Sequence, residues 1–263
     1  MEEIPKNIHE YGEWMNKHHG VEVSDRMINH YNSVTDKMKQ QFEKSDFWRR
    51  LGDNLQQYND EYYLSTNYQL FQEVKLPVVL QKSFESFWDK TYRNNCVENT
   101  NWPKAPAGDW LLPNNWFSRI DDIIRTCFVV KYLDGVEILV KKVEELCSEC
   151  DASRKDFKYR YQAKEEGYYA AHMYMKEEFE IPRIDWDTEK LSTFIEIQVT
   201  TQLQEVIRKL LWKYYEQTRS KRPSISEQMW QWRYGSDEFA TNYLGHILHY
   251  VEGMIVGIRQ GRK

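Results

Sequence analysis

The chain lacks the features that mark several large classes of proteins. Four cysteines in 263 residues are too few for a disulfide-stapled fold, which predicts a reducing, cytoplasmic environment. No run of about 18 apolar residues occurs, which argues against a transmembrane helix. The acidic start MEEIPKNIHE has no apolar region of the kind found in secretory signals. We therefore expect a cytoplasmic protein that makes no contact with a membrane.

Glycine-rich phosphate loops are also missing. Neither a Walker A sequence nor GxGxxG is present, so phosphate binding of the P-loop or Rossmann kind is not supported. A net charge of -5 does not by itself suggest nucleic acid, but the segment 200–263 holds ten Lys/Arg against six Asp/Glu. Its RSKR run at 219–222 is open to two interpretations, a solvated helix end or a site that attracts phosphates.

The pattern of apolar residues predicts alternating helices and strands. Residues 1 to about 70 read as helical, and β-branched or alternating runs predict strands at 123–133, 157–162, 167–181 and 193–201, the third with a possible hairpin bend. The spacing from Val136 to Cys150 predicts an amphipathic helix. A final helix from about Asp237 to Arg259 should bury one stripe of its apolar residues, namely Leu244, Leu248, Val251 and Ile255.

This order of elements predicts the fold class α/β (α+β), a central mixed sheet of about five strands flanked by helices. Helical extensions precede and follow the sheet. We expect a helical N-terminal extension over 1–75, a catalytic domain over 76–220, and a C-terminal helical extension over 221–263 that packs on the core.

Acidic residues occur at two places in the predicted strands. Glu196 and Gln198 share one strand face, and Asp121 and Asp122 precede the first core strand. If these strands are neighbours, Asp122 and Glu196 converge, and two carboxylates suit Mg²⁺, which binds nucleotide phosphates. The alternatives are a solvated edge strand for Glu196 and Gln198 and a turn for the aspartates.

Cations precede these acids in the segment QKSFESFWDK. At helical spacing Lys82, Ser86 and Lys90 lie on one face. Lysines bind phosphates as point charges, although a solvated helix face would show the same pattern.

Four segments in this order resemble the RelA/SpoT-type synthetase domain, the family of (p)ppGpp synthetases that includes the small alarmone synthetases and their toxin-like members. They are KSFESFWDK, DII before a strand, KEEGYYAAH, and EIQVTT before an amphipathic helix. The corresponding family forms are K-S-x-x-S-x-x-x-K, an aspartate before a strand, K-x-x-G-Y-R-S-x-H and E-I-Q-I-R-T. The resemblance runs from about Lys82 to Tyr215.

The resemblance implies a nucleotidyltransferase-like fold and transfer of the β,γ-pyrophosphate of ATP to the 3′-hydroxyl of GDP or GTP, with Mg²⁺. It implies that Asp122 and Glu196 are catalytic and hold the metal, and it divides the other site residues between two substrates. The residues implied for ATP are Lys82, Ser86, Lys90 and Arg125, and those implied for the acceptor are Lys164, Tyr168, His172 and Gln198. Gly167 then permits a close backbone approach, and the Tyr168 ring stacks on the acceptor base.

The chain differs from the family pattern at several cationic positions. Arginines of the family are replaced by Leu80, Cys127, Tyr169 and Thr200, and a histidine by Trp212. Arg125, on the same strand and side as Cys127, is the candidate to replace one of them.

Three hypotheses follow from these segments. The first is a guanosine 3′-pyrophosphokinase. The second is a toxin-type synthetase that pyrophosphorylates the 3′ end of tRNA and is neutralised by an antitoxin protein, which the basic C-terminal segment suggests. The third is a non-catalytic nucleotide-binding module, which the missing arginines suggest. Homo-oligomer contacts are possible in any of the three.

Overall fold

The computed structural model describes residues 3–150, 156–182, 187–219 and 229–261, with the backbone alone over 211–219. Three helices come first, α1 (Ile8–His19), α2 (Asp25–Glu43) and α3 (Asp46–Thr66). Each begins after a polar cap, because the side chains of Asn7, Ser24 and Ser45 accept backbone N–H groups of the first turn. The helical interpretation of the first 70 residues is confirmed.

A five-stranded mixed sheet follows these helices. Its strands are β1 (Leu80–Gln81), β2 (Ile124–Val130), β3 (Phe157–Ala163), β4 (Tyr169–Pro182) and β5 (Thr188–Thr201). They are arranged in the order β1-β2-β5-β4-β3, and only β2 and β5 are parallel. The predicted fold class is confirmed.

Two details of the strands differ from the sequence prediction. β4 runs without interruption from Tyr169 to Pro182 and pairs with β5 along that length, so the hairpin bend inside it is wrong. The stretch contains no glycine, and no proline before its last residue, that would interrupt the strand. β5 is a central strand with a neighbour on either side, so the edge-strand alternative for Glu196 and Gln198 is also wrong.

The remaining helices enclose the sheet. They are α4 (Phe84–Tyr92), α5 (Trp116–Arg119), α6 (Leu133–Cys150), α7 (Gln202–Arg219) and α8 (Asp237–Arg259). On the apolar face of β5, Ile195, Ile197 and Val199 are fully buried in the main core. α6 packs against β4 and β5 on the apolar side of the sheet. The polar face of the same strands is therefore left to form a site.

The last helix has the predicted bounds, but its most buried face is rotated away from the predicted stripe. Asn242, Gly245 and Glu252 are its buried residues, whereas Leu244 is 41% and Ile255 is 37% exposed. Leu248 and Val251 are half-buried. The predicted buried stripe is thus wrong, because the helix docks on a polar surface that selects small and hydrogen-bonding side chains.

Two sequence features lie at the edge of what the structure describes. Most of the RSKR run and the boundary between 220 and 221 fall outside the described residues, and the side chain of Trp212 does too. The proposed division into 1–75, 76–220 and 221–263 stays a prediction. No helix within the described ranges is both long enough and apolar enough to cross a membrane.

Candidate active site

A cleft of about 560 Å³ opens on the polar face of the sheet. Its volume lies in the range of sites that bind small molecules. Eight of the ten residues predicted for the site line it, namely Lys90, Asp122, Arg125, Lys164, Tyr168, His172, Glu196 and Gln198. The sequence prediction of a single site made from distant segments agrees with this placement.

Strand pairing explains why these residues meet. Arg125 on β2 is in register with Glu196 on β5, and Glu196 is in register with Tyr174 on β4. Two residues along β5, Gln198 pairs with His172, which pairs with Arg160 on β3. Since paired residues point to the same face of a sheet, these two rows bring side chains from four strands to the cleft.

At one end of the cleft, a carboxylate is held between two lysines. Asp122 Oδ2 accepts from Lys82 Nζ at 2.8 Å, and Oδ1 accepts from Lys90 Nζ at 2.7 Å. Burial alone would raise the pKa of Asp122, but the two ammonium groups outweigh it and hold the pKa well below its usual range. Burial lowers the pKa of Lys82, against the opposing effect of Asp122.

The route by which Lys82 reaches Asp122 differs from the prediction. α4 begins at Phe84, with Ser83 as its N-cap accepting from the Ser86 N–H at 3.3 Å. Lys82 therefore precedes the helix, and its placement on a helical face with Ser86 and Lys90 is wrong. Its backbone N–H instead donates to the carbonyl of Ile123 beside β2. This hydrogen bond places Lys82 next to Asp122, the residue before Ile123.

Glu196 lies at the centre of a hydrogen-bonded network. Its Oε1 is 2.6 Å from His172 Nδ1 and accepts from the Tyr174 hydroxyl at 3.1 Å, and its Oε2 accepts from Gln198 Nε2 at 2.9 Å. Burial raises the pKa of Glu196, but the hydrogen bond and charge of His172 outweigh burial, so the pKa is lowered. The carboxylate is therefore ionised, and Oε2 keeps room for a further proton donor.

A histidine links this carboxylate to the aromatic residue of the acceptor segment. His172 Nε2 is 2.9 Å from the Tyr168 hydroxyl. Tyr168 and His172 share the cleft, as their spacing predicted.

A glycine contact fixes the turn that carries Tyr168. Gly167 has φ of +77°, and a Cβ placed there would lie 2.4 Å from the Asn242 carbonyl oxygen. On the opposite side, a Cβ at Gly245 would lie 2.4 Å from the Gly167 carbonyl oxygen. Glycine at both positions therefore lets α8 close against the turn. Asn242 and Gln204 become part of the wall of the cleft.

Sequence reasoning missed several cations of the site. Arg93, Lys158, Arg160 and Arg208 all line the cleft. The sequence did indicate two of them, because Lys158 and Arg160 are two residues apart in the strand FKYRYQ and must therefore lie on the same face. Arg208 lies nearly two turns into α7, and its place in the site becomes recognisable only when the helix is placed beside β2.

Position 127, where the family has an arginine, holds an inert thiol. Burial raises the pKa of Cys127 to about 12, so the side chain stays protonated and is not a nucleophile. Arg125, two residues earlier on the same face, does line the cleft, and its part in replacing that arginine stays a prediction.

The oxygen ligands of the site fit a magnesium ion that arrives with a nucleotide. Asp122 and Glu196 line one cleft, and Mg²⁺ commonly uses one or two carboxylates together with substrate phosphates. Among the described residues, no group of three or more His, Cys, Asp or Glu side chains could hold a metal by itself. Phosphate oxygens would have to complete the coordination.

Comparisons with known proteins agree with this arrangement at the level of the fold. No protein-family model matches the chain, and no curated protein is significantly similar in sequence. Small alarmone synthetase 1 from Bacillus subtilis, bound to its product pppGpp, matches with a TM-score of 0.50 and 13% identity over 90% of this chain and 96% of that chain.

Two other solved structures give comparable matches. Small alarmone synthetase 2 from Bacillus subtilis has a TM-score of 0.48 and 15% identity, covering 89% of this chain and 97% of the other. A GTP pyrophosphokinase family protein from Streptococcus pneumoniae has a TM-score of 0.48 and 14% identity, covering 90% and 95%. At such identities a likeness concerns the fold alone, and the match at a TM-score of 0.50 shows that the chain has the fold of small alarmone synthetase 1.

Proposed function

We propose that this protein is a nucleotide pyrophosphokinase that transfers the β,γ-pyrophosphate of ATP to the 3′-hydroxyl of GDP or GTP. The observation that carries the proposal is the cleft itself. It brings the buried carboxylate of Glu196, the Lys90–Asp122 pair and the aromatic Tyr168 together from distant segments. Phosphoryl-type transfer needs positioning and charge neutralisation more than covalent help, and this set of groups can supply both.

The residues divide between two substrates. Lys82 and Lys90 bind Asp122 at one end of the site. Together with Arg125 on β2 and Ser86 on α4, they would bind the ATP phosphates. Lys164 and Tyr168 stand at the other end and would bind the acceptor phosphate and base. The Lys164 ammonium lies 5.5 Å from the Tyr168 ring centre, so charge and stacking surface are adjacent there.

In the transfer step, the acceptor 3′-oxygen forms a bond to the β-phosphorus of ATP. The bond between that phosphorus and the oxygen bridging to the α-phosphate breaks, and AMP leaves with the bridging electron pair. Glu196 Oε2 would take the proton of the 3′-hydroxyl, while Gln198 and His172 hold the carboxylate in place. Mg²⁺, held by Asp122 and Glu196 when bound, would neutralise phosphate charge.

The direct test uses ATP labelled on its γ-phosphate, with Mg²⁺, and GDP, GTP or no acceptor. We expect label on the guanine nucleotide, none with Glu196→Gln, and none after chelation with EDTA until Mg²⁺ is restored. Absence of labelled product with either acceptor would contradict the proposal. Nucleotide binding without turnover, unchanged by Glu196→Gln, would instead indicate a non-catalytic nucleotide-binding module.

A second candidate acceptor is the 3′ end of tRNA. The observation that favours it is strand β3, an edge strand on which Lys158 lines the cleft while Tyr159 and Tyr161 are 41% and 55% exposed. Interleaved cations and aromatic rings suit single-stranded nucleic acid. Labelled ATP incubated with tRNA, and with periodate-oxidised tRNA that lacks the terminal 3′-hydroxyl, separates this acceptor from a free nucleotide. An antitoxin partner would be sought only if tRNA is labelled.

A further inference from the structure

At two positions where the resemblance implies an arginine, this chain has an uncharged side chain. The Tyr169 hydroxyl is 2.7 Å from His246 Nδ1, and its ring stacks on His249 with centroids 3.6 Å apart. Thr200 Oγ1 donates to the Tyr169 carbonyl oxygen at 3.1 Å. The Tyr169 side chain therefore contacts α8, the Thr200 hydroxyl bonds to the backbone of β4, and neither supplies a charge to the cleft. Charge neutralisation of a transferred pyrophosphate must come from another residue.

We propose that Arg160 binds the transferred phosphate groups beside Glu196, an inference that rests on the proposed function. Arg160 lines the cleft from β3, where it is in register with His172. Its Nη2 donates to the Tyr174 hydroxyl at 3.0 Å, and that hydroxyl donates to Glu196 Oε1 at 3.1 Å. The guanidinium is therefore two hydrogen bonds from the carboxylate that faces the acceptor.

The guanidinium is held in place before any ligand binds. Its centre lies 5.5 Å from the Tyr174 ring centroid. With the amide oxygen of Gln162 turned towards it, Nη2 and Nε both donate to that oxygen at 3.1 Å. These contacts leave Nη1 for a ligand, and a fixed fork loses little freedom when it binds phosphate.

The other missed cations are engaged by acids. Arg93 pairs with Asp89 and Glu98, Arg208 pairs with Glu205 at 2.7 Å, and Lys158 lies 3.8 Å from Asp121. Within the described residues, Arg160 makes no ion pair with a carboxylate, so its charge is not already neutralised by the protein. An arginine in this state can stabilise phosphate charge at the reaction centre.

Tyr174 would act as a positioning residue for Arg160. It touches both Arg160 and Glu196, and it does not need to touch the substrate. Removing its hydroxyl in Tyr174→Phe should release the guanidinium while keeping the ring. The same change removes a donor from Glu196, whose neighbours in the site are His172, Gln198 and, across the cleft, Asp122. We therefore expect Tyr174→Phe to lower kcat while leaving the KM of the acceptor nearly unchanged.

The test measures binding of ATP and of inorganic pyrophosphate to the full chain by calorimetry, together with the rate of transfer. Arg160→Gln should weaken binding of both about tenfold or more, as expected for loss of a charged hydrogen bond, and should lower kcat by about 100-fold. Arg160→Lys should not restore kcat, because ammonium lacks the fork. Arg49→Gln is the matched control, because the Arg49 side chain is exposed on α3. It should change neither quantity.

The outcomes separate the two proposals. Transfer by the wild type with unchanged kcat and Kd in Arg160→Gln overturns the assignment of Arg160 and leaves the function intact. No transfer by the wild type, but pyrophosphate binding that Arg160→Gln weakens, overturns the function and supports Arg160 as the phosphate ligand. Binding that is equal in the wild type, Arg160→Gln and Arg49→Gln overturns the assignment whether or not transfer occurs.

Discussion

At the scale of single residues, the ion pair of Lys82 and Asp122 contributes to the stability of the folded protein and to the charge at one end of the cleft. The Lys82 side chain is 2% exposed and that of Asp122 is 16% exposed. Replacing one member of a buried ion pair leaves the other charge without compensation. The sequence shows neither burial nor pairing, because the partners are 40 positions apart.

We expect Asp122→Asn to lower the free energy of unfolding by about 3 kcal/mol and to abolish transfer. Urea denaturation followed by tryptophan fluorescence gives the first quantity. The neighbouring change Asp121→Asn is the control, since Asp121 is 37% exposed and 3.8 Å from Lys158. It should change stability by less than about 1 kcal/mol. Equal losses in the two variants would show that the pair does not carry this energy.

A second buried carboxylate lies away from the cleft. Glu252 on α8 is 3% exposed, and the Thr201 side chain offsets only part of the cost of burying its carboxylate. Burial raises its pKa from 4.5 to about 7. The folded protein therefore holds this proton more tightly than the unfolded chain does. The stabilising effect is complete below the unfolded pKa and is lost as the pH rises through the folded one.

We expect the free energy of unfolding to fall by up to about 3 kcal/mol between pH 4.5 and about pH 8 because of Glu252 alone. Glu252→Gln should remove this part of the pH dependence and leave a flatter curve. Denaturation at several pH values measures it, with Glu13→Gln on α1 as the exposed control. If the free energy of unfolding had the same pH dependence in the wild type and in Glu252→Gln, the assignment would be contradicted.

At the scale of elements, the contact between α8 and the turn at Gly167 decides the shape of the acceptor end. Gln204 Nε2 donates to the Gly245 carbonyl at 3.1 Å, and His246 Nε2 is 2.9 Å from the Glu165 carbonyl oxygen. These contacts and the two facing glycines bring a helix that the resemblance does not cover into the wall of the cleft.

Alanine substitutions at two glycines of α8 should have opposite effects. Gly245→Ala places a Cβ against the Gly167 backbone, so we expect a loss of about 1–3 kcal/mol and a higher KM for the acceptor. Gly253→Ala meets nothing within 4 Å and should gain up to about 1 kcal/mol from helix propensity. Thermal unfolding and acceptor titration measure both. A stabilised Gly245→Ala would mean that α8 does not press on the turn.

Elements were predictable where their own pattern decides them. The bounds of α8 follow from its Ser236 cap and its continuous helical sequence, and the alternation in β5 gave the correct two faces. The buried side of α8 was not predictable by the same reasoning. Hydrophobic periodicity assumes an apolar partner, whereas the surface beneath α8 is built from Gly167, Tyr169 and Gln204.

At the scale of the whole molecule, the first three helices share one hydrophobic core with the sheet. Tyr11, Phe42 and Leu51 belong to the same buried cluster as Ile197. The Tyr31 hydroxyl also donates to the Lys82 carbonyl oxygen at 2.8 Å, beside the predicted ATP segment. One hydrophobic core therefore extends across the predicted division at residue 75, where the sequence changes from helical to mixed patterns.

We expect a fragment of residues 76–263 to lack a cooperative unfolding transition, since it would expose the apolar surface that α1, α2 and α3 cover. Near-ultraviolet circular dichroism and calorimetry of the fragment and of the full chain test this. The full chain should unfold in one main transition. A fragment with a native-like aromatic signal and its own sharp transition would show that the N-terminal extension folds as a separate unit.

The sequence by itself determined the fold class, most element bounds and eight of the residues that line the cleft. These depend on local periodicity and on chemical types at fixed spacing, which a linear sequence records. Only the tertiary structure decided that Asp122 sits between two lysines, that Arg160 reaches Glu196 through Tyr174, and that α8 turns its polar side inward. Each of these depends on which strands are neighbours and in what register, and that choice is made by packing over the whole core.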